Sequence, residues 1–472
     1  MSWADAARRF DAVVIGAGTA GMTAAIALAQ AGARVCVLAF GLGSTHLAAG
    51  TIDVLGAIDG EDPVRSPQRS LARLASARPD HPYALMGAST VAEALAWFAR
   101  TFAGAAPRGY GYVGDAGRNM MLPTALGTLR PSALVPTTMA AGDAAGLDRV
   151  AIAGTPALRD FHPGLCAANL RDAGIRARAV QIQLDLDRAD ASALGVARRL
   201  EEPAWRAAFC RRLGAVLGAE DRVGLPAMIG LHQAAQVLAD MEQRLQRRVF
   251  EIPTLPPSVP GMRLFEALRR ALRAAGGTLV LGAEVSGAER SGGRVLSVAA
   301  RSAGRQTRYR APWFVLASGG LGAGAIELDS RGRARERVLG LGLRGVAPAS
   351  APRFVEDFFA EQPLARVGVA VDERLCAQDA PNVVVAGAAL PGQAPWLEGC
   401  GEGVALASGL WAARLVSAEL GGRCQATQRS SPGSMPGDAA KPGIDATRRP
   451  SPGSMPGDTA TESGDRCQRM ER

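Results

Sequence analysis

At 472 residues the chain is too long for one simple core, and two domains is the natural expectation. Apolar residues make up 48% and charged residues 21%, the balance of a folded globular protein and not of a disordered one. The net charge of +9 is almost all arginine, Lys441 being the only lysine; with no arginine stripe interleaved with aromatics it reads as surface composition, which argues against a nucleic-acid partner.

The N-terminal MSWADAARRF leads straight into an apolar run, so no signal peptide is expected. From Asp11 to Phe40 the chain reads as strand, glycine turn, helix and second strand. Val13, Val14 and Ile15 are continuous, as in a strand buried on both faces. Gly16, Gly18 and Gly21 follow at G-x-G-x-x-G spacing. The first permits a tight turn, the second lets backbone approach a phosphate, and the third lets the helix pack closely on the strand. Ala24, Ala25, Leu28 and Ala29 recur at helical spacing, Gly32 ends the helix, and Val35 to Leu38 form the next strand. Placed between strand and helix, the motif is a dinucleotide-type phosphate turn. The uncharged run from Gly16 to Ala33 is long enough to mimic a membrane span. Its glycines, Thr19, Thr23 and Gln30 argue for a buried soluble helix instead. The acid that usually holds an adenosine ribose, about twenty residues on, is missing: Ala39 and Phe40 stand there. That leaves two ligands open at the turn, a dinucleotide or a flavin mononucleotide.

Further along, RVAIAG from Arg149 reads as a strand, Gly164 to Ala173 as a helix and ARAVQIQLDL as a strand. RVGLPAMIG and RRVFEIPTLPPSVPG then bracket a helix carrying Leu238, Met241 and Leu245. The expected organisation is a flavin-binding domain in two parts, residues 1–103 and 252–422, interrupted by an inserted cap or substrate domain at 104–251. Within the second part, Arg263 to Ala275 is helical, GGTLVLGAEV and VLSVAA are strands, and APWFVLASGG is a strand ending in Ser318, Gly319 and Gly320. NVVVAGAAL closes on Gly387; a loop with Gly399, Gly401 and Gly403 leads into an apolar helix, VALASGLWAARLVSAEL. Its start is a second place where free N–H groups could meet an anion or a ring carbonyl. Past Gly422 the chain turns Pro/Gly/Ser-rich and SPGSMPGD occurs twice, so residues 423–472 are expected to be a disordered tail.

The seven cysteines form no C-x-x-C pair, so zinc and iron–sulfur ligation are not expected and no metal site is assigned. They read as reduced, mostly buried thiols. The chain also lacks a Ser-His-Asp order, HExxH and a P-loop lysine, which sets aside hydrolase, zinc-protease and nucleoside-triphosphatase readings.

Together, GAGTAG, VLASGG and VVVAGAAL…GCGEG resemble the three flavin-contacting segments of the fumarate reductase and succinate dehydrogenase flavoprotein superfamily. GLGSTHLAAGTIDVLG, DHPYALMG, ALGTLRPSALVP, LPAMIGL and PTLPPSVPGMRL are more specific. They resemble the B subunit of anaerobic glycerol-3-phosphate dehydrogenase, over roughly Phe10 to Leu420. The resemblance implies an α/β fold with a Rossmann-type flavin domain and FMN as cofactor, with FAD the alternative. It implies an FAD-bearing catalytic A subunit and an iron–sulfur membrane-anchor C subunit as partners, and glycerol 3-phosphate as substrate of the complex, with this chain either touching that substrate or only relaying electrons. The chain would lie at the cytoplasmic face of the membrane through a partner, without a span of its own. Two other readings stay open: a free-standing flavin oxidoreductase acting on another small acid or alcohol, and a flavin-free structural subunit.

Site residues follow from the motifs and the resemblance together. Gly16, Gly18 and Gly21 would bind the flavin phosphate. Ser44, Gly50 and Thr51, in the small-residue loop after the second strand, would contact the flavin or form a plain loop. Ser318, Gly319, Gly387, Gly401 and Gly403 lie at strand ends or before the last helix, where such sheets place ligands and where caps also occur. Oxidising a secondary alcohol needs a base for the hydroxyl proton. His46 is the best placed of four histidines, as base, flavin hydrogen-bond donor or ordinary loop residue. His81 and His162 precede prolines and His232 sits at a helix start. Arg130 in GTLRP and Arg263 in PGMRL are the candidates for a substrate phosphate.

Overall fold

The computed structural model describes residues 7–429, apart from 59–62, 185–190, 349–351, 353–354 and 358–359. Both SPGSMPGD copies lie outside the described residues.

The opening unit forms as its periodicity predicts. Strand β1 (Ala12–Ile15) is buried throughout, helix α1 (Thr19–Gln30) follows the glycine turn, and strand β2 (Val35–Ala39) returns parallel to β1. Helix α1 carries no charge and buries ten of its twelve residues. That suits a helix enclosed between the sheet and other helices, because no face of it needs water. Helix α2 (Ala88–Ala105) buries Val91, Ala94, Leu95, Phe98 and Phe102 at helical spacing.

Strand β3 (Leu129–Ser132) forms a hairpin with Met120–Pro123. A parallel four-stranded sheet follows: β4 (Arg149–Gly154), then helix α3 (Pro163–Asp172) and β5 (Arg176–Gln181), then β6 (Arg222–Pro226), helix α4 (Ala234–Leu245) and β7 (Arg248–Ile252). The strand order is β7-β6-β4-β5. Its two faces bury separate apolar clusters, one including Val196, Leu213, Val237 and Met241, the other Ile152, Leu170 and Phe250.

Helix α5 (Val259–Ala274) packs against α1 and α2. The segment GGTLVLGAEV is not one strand. It breaks at Gly282, whose φ of +72° turns the chain, into β8 (Thr278–Leu281) and β9 (Glu284–Ser291). Strand β8 extends the parallel sheet beside β2, whereas β9 starts an antiparallel sheet with β10 (Arg294–Ser302) and β11 (Arg305–Arg310). The main sheet is completed by β12 (Trp313–Leu316), β13 (Cys376–Ala377) and β14 (Ala380–Val385), in the order β8-β2-β1-β12-β14-β13. Leu316 of β12 is in register with Ile15 on one side and Val385 on the other. Three adjacent parallel strands therefore end level at one edge.

The last helix, α6, runs from Gly401 to Arg429, past Gly422, where the composition predicts the tail to begin. Residues up to Cys424 form one compact unit. The residues 104–251 expected as an insert hold the hairpin and the second sheet, and the ion pairs Asp53–Arg130 and Glu251–Arg263 join them to the flanking segments. Among the described residues no helix is long and apolar enough to cross a membrane.

Candidate flavin site

The three level strand ends bring their glycine turns into contact. Gly16, at φ +110°, has room for nothing larger, since a Cβ there would lie 2.1 Å from the Ala317 carbonyl oxygen beyond β12. A Cβ on Gly21 would lie 2.0 Å from the Gly16 carbonyl oxygen, so α1 rests directly on the turn. A Cβ on Gly320 would strike the Ala388 carbonyl at 2.4 Å, and one on Gly387 would meet Ala20 at 2.8 Å. Gly18 differs: no atom lies within 4 Å of where its Cβ would be. The backbone is bare there, at the N-cap of α1, where free N–H groups favour an anion. Gly43, outside the motif, has a φ of +73°, and a Cβ on it would lie 2.8 Å from the Gly18 Cα. Only the run of small residues around it hints at such an approach.

Two polar atoms beside these turns are buried without a hydrogen-bond partner: Ser318 Oγ, next to Gly319, and Gln393 Oε1. The Gln393 amide is fixed, because its Nε2 donates to the carbonyls of Gly387 (2.9 Å) and Leu390 (3.2 Å). Buried polar atoms are rarely left unpaired, and a ligand with its own polar edge explains both. The bare Gly18, the α1 N-terminus and these two atoms fit a phosphate-bearing flavin. Ala39 is buried and Phe40 is 76% exposed, so neither position offers a carboxylate to a ribose.

A second group forms around Asp53, a residue no motif marks. This buried carboxylate accepts from Thr51 Oγ1 (2.9 Å), Ser132 Oγ (2.6 Å) and the guanidinium of Arg130. Thr51 is thus tied to an acid, and Arg130, expected at a substrate phosphate, is paired across from β3 with its side chain still half exposed. The first turn of α6 docks on the same loop. Gly403 N–H donates to the Asp53 carbonyl (3.0 Å), and a Cβ on Gly403 would lie 2.2 Å from the Tyr83 hydroxyl. Gly50, at φ +83°, abuts Pro260, and its carbonyl accepts from Tyr112 Oη at 2.5 Å. Between Gly401 and Gly403 stands the half-buried Glu402. Burial raises its carboxyl to about 7, the Asp53 charge adds to the rise, and Arg130 works against it.

Behind this loop lies a buried cluster of His81, Glu398, Cys400 and Arg366. His81 Nδ1 accepts from the Tyr83 N–H (3.0 Å), so its proton sits on Nε2, facing Glu398 at 3.3 Å. Arg366 takes the other carboxylate oxygen at 2.5 Å. Burial opposes the charge on Glu398, but His81, the Ala394 N–H and Arg366 outweigh it and hold the carboxyl at about 2. A metal on His81, Glu398 and Cys400 would require an imidazole stripped of both protons, so this is an ion-pair cluster that locks the loop ahead of α6.

His46 and Arg263 lie elsewhere, on a cleft of about 320 Å³ beside α5 whose walls contain none of the flavin-site glycines. His46 ends a short turn begun by the exposed Ser44 and stands edge-on to Phe265 at 5.0 Å; burial lowers its pKa. Arg263 is a correction. Its side chain is 2% exposed, paired twice with Glu251 (2.7 and 2.9 Å) and bonded to the carbonyls of Ile229 and Gly230. All its donors are used inside the fold, leaving none for a substrate phosphate.

Residues 11–404 match the FAD binding domain family. The chain is 32% identical to the anaerobic glycerol-3-phosphate dehydrogenase B subunit of Pectobacterium atrosepticum, over 87% of this chain and 99% of that one. The chain belongs to the B-subunit family of anaerobic glycerol-3-phosphate dehydrogenases. Another B-subunit relative, from Yersinia enterocolitica, is also 32% identical over 87% of this chain and 99% of its own length. Mycobacterium smegmatis Sdh1, solved in complex with UQ1, aligns over 90% of this chain and 73% of its own, at 14% identity and a TM-score of 0.38. For this member of the B-subunit family the FAD-type domain supports a flavin cofactor and an oxidoreductase class.

Proposed function

We propose that this chain is the B subunit of a quinone-linked anaerobic glycerol-3-phosphate dehydrogenase, acting in the oxidation of sn-glycerol 3-phosphate to dihydroxyacetone phosphate. The observation that carries the reading is the meeting of the Gly16, Ser318 and Gly387 turns at one sheet edge, in a chain of this family. A flavin bound there supplies a two-electron acceptor. The α1 N-terminus would hold its phosphate through backbone N–H groups, with Gly18 leaving the approach clear. Ser318 Oγ and Gln393 Oε1 would meet its polar edge. We assign FMN, because Ala39 and Phe40 leave no acid for an adenosine ribose. FAD is the second reading, favoured by the description of the matching family.

In this reading an FAD-bearing A subunit and an iron–sulfur C subunit complete the enzyme, and electrons pass through the latter to membrane quinone. The chain sits at the cytoplasmic face of the membrane through that partner. Among the described residues Cys36, Cys166, Cys210, Cys376 and Cys400 are free and buried, and the reading puts the iron–sulfur relay on the partner.

The test is to denature the purified chain, identify the released chromophore by chromatography and measure its stoichiometry, then reduce the native flavin anaerobically with glycerol 3-phosphate. FMN near one per chain, bleached when the partner subunits are present, is the expected result. FAD would replace the cofactor assignment. A folded, colourless chain would overturn the flavin reading and leave a purely structural role.

A further inference from the structure

We propose that Gln393 orients the flavin of this site: its side-chain oxygen is a fixed acceptor for a hydrogen-bond donor of the cofactor, the ring N3–H or a hydroxyl of the ribityl chain. The proposal rests on the reading of the joined turns as a flavin site and names the residue that aligns the cofactor there.

The direction of the amide is settled by its surroundings. Gln393 Nε2 donates to the carbonyls of Gly387 at 2.9 Å and Leu390 at 3.2 Å. Turning the amide over would set Oε1 against both carbonyl oxygens and leave them unpaired, so the oxygen can point only one way. Holding the turn after β14 uses the two amide protons and asks nothing more of the residue. Oε1 is left over. It belongs to a residue 3% exposed, and among the described residues no donor reaches it. A buried acceptor without a partner is costly, and the turn does not require one.

The backbone that carries this amide is clamped on both sides. Ahead of it, the Gly392 N–H donates to the Arg366 carbonyl at 3.0 Å, and the Arg366 guanidinium donates to the Gly392 carbonyl at 2.9 Å. Behind it, the Ala394 N–H donates to the Glu398 carboxylate at 2.9 Å. The buried ion-pair cluster therefore fixes Gln393 as well as the loop ahead of α6. Gly387, to which the amide is bonded, has its own N–H held by Ser408 Oγ at 2.8 Å. A Cβ on Gly387 would meet Ala20 at 2.8 Å, in the first turn of α1. The free oxygen thus stands one hydrogen bond away from the turn that packs on the N-terminal end of α1. An acceptor held this firmly has little freedom left to lose when a ligand arrives.

An acceptor selects for a donor. The oxidised flavin ring offers one, N3–H, and the ribityl hydroxyls are the others. Neither kind gains or loses its proton in two-electron reduction, so the contact aligns the flavin in both redox states.

The experiment strips flavin from the purified full chain and titrates it by fluorescence with three ligands. These are the natural flavin, its 3-methyl analogue, which lacks N3–H, and an analogue whose side chain carries no hydroxyls. Wild type is compared with Gln393→Met, which removes the acceptor at similar length, and Gln393→Asn, which withdraws it by one methylene. We expect wild type to bind one analogue about 10- to 100-fold more weakly than the natural flavin. Both variants should lose that preference, because deleting the second partner of a bond costs little once the first is gone. A preference lost for the 3-methyl analogue assigns the ring N–H; one lost for the hydroxyl-free analogue assigns the ribityl chain. Variants that discriminate as wild type does would overturn the proposal and give Oε1 to a buried water. Wild type that binds all three flavins equally overturns it without any variant. If Q393M does not fold, Q393N is read by the same criterion. A folded wild-type chain that takes up no flavin fails differently: it removes the flavin reading, and the proposal with it.

Discussion

Replacing Arg263 by methionine separates two accounts of that residue with one measurement. A substrate-phosphate arginine would weaken substrate binding when removed and leave folding intact. The structure predicts the reverse. Arg263 and Glu251 have side chains 2% and 0% exposed, and Glu251 also accepts from the Ile229 N–H at 2.6 Å. Removing the cation leaves a buried, uncompensated carboxylate and two uncapped carbonyls, at a cost of about 3–5 kcal/mol. Unfolding entropy near 2.1 cal/mol/K per residue, over roughly 420 residues, gives about 0.9 kcal/mol/K, so the expected drop in Tm is roughly 3–6 °C. Scanning calorimetry of R263M, with Glu251→Gln/Arg263→Met alongside, tests this, and the double variant should recover part of the loss. A Tm within a degree of wild type, together with a raised KM for the phosphorylated substrate, would refute the reasoning and return Arg263 to the substrate.

Gly16→Ala and Gly18→Ala should behave differently. The first forces a Cβ to 2.1 Å from the Ala317 carbonyl at φ +110° and should lower both Tm and flavin content; the second meets no atom within 4 Å and should keep its Tm while losing flavin on gel filtration. Asp53→Asn removes the charge that adds to burial in raising Glu402, so a Glu402 carboxyl titrating near neutrality should move to lower pH in difference infrared; a shift to higher pH would contradict that cause. Glu398 has the opposite sign. Its folded pKa of about 2 lies below the ordinary 4.5, so its stabilisation, on the order of 3 kcal/mol, is present above pH 4.5 and is lost as pH falls towards 2. Urea midpoints of wild type and Glu398→Gln should therefore converge with acidification, and a constant gap would show that the ion pair is not the source.

Much of the flavin half is legible in the sequence because local pattern and tertiary role coincide there. Val13 to Ile15, the three glycines and the uncharged α1 each have one structural solution, and the strand ends at Leu316 and Val385 follow from the same apolar runs. What the sequence hides depends on partners distant along the chain. Asp53 looks like any loop acid until Ser132 and Arg130 arrive from β3, 79 and 77 residues on. Arg263 sits in a family-like segment, but its function is decided by Glu251 and the Gly230 carbonyl, which no spacing rule connects to it. GGTLVLGAEV reads as one strand by composition, and only Gly282 divides it. Glu402 does carry a signal, an acid between two glycines ahead of an apolar helix, but the glycines on either side are the stronger pattern and mask it.

The docking of Gly403 against the Asp53 carbonyl and the Tyr83 hydroxyl also bears on how the protein is made. The carboxyl end of the main sheet is closed by a residue some 350 positions downstream of the loop it covers, so the pocket is assembled from the two extremes of synthesis. A ribosome-bound chain lacking α6 would present the phosphate turn with its neighbouring loop uncapped, and a flavin captured then would be held by half its contacts. Cofactor retention in this fold is thus a property of the finished polypeptide, and pulse-labelled nascent chains should begin to hold flavin only once Gly403 has cleared the exit tunnel.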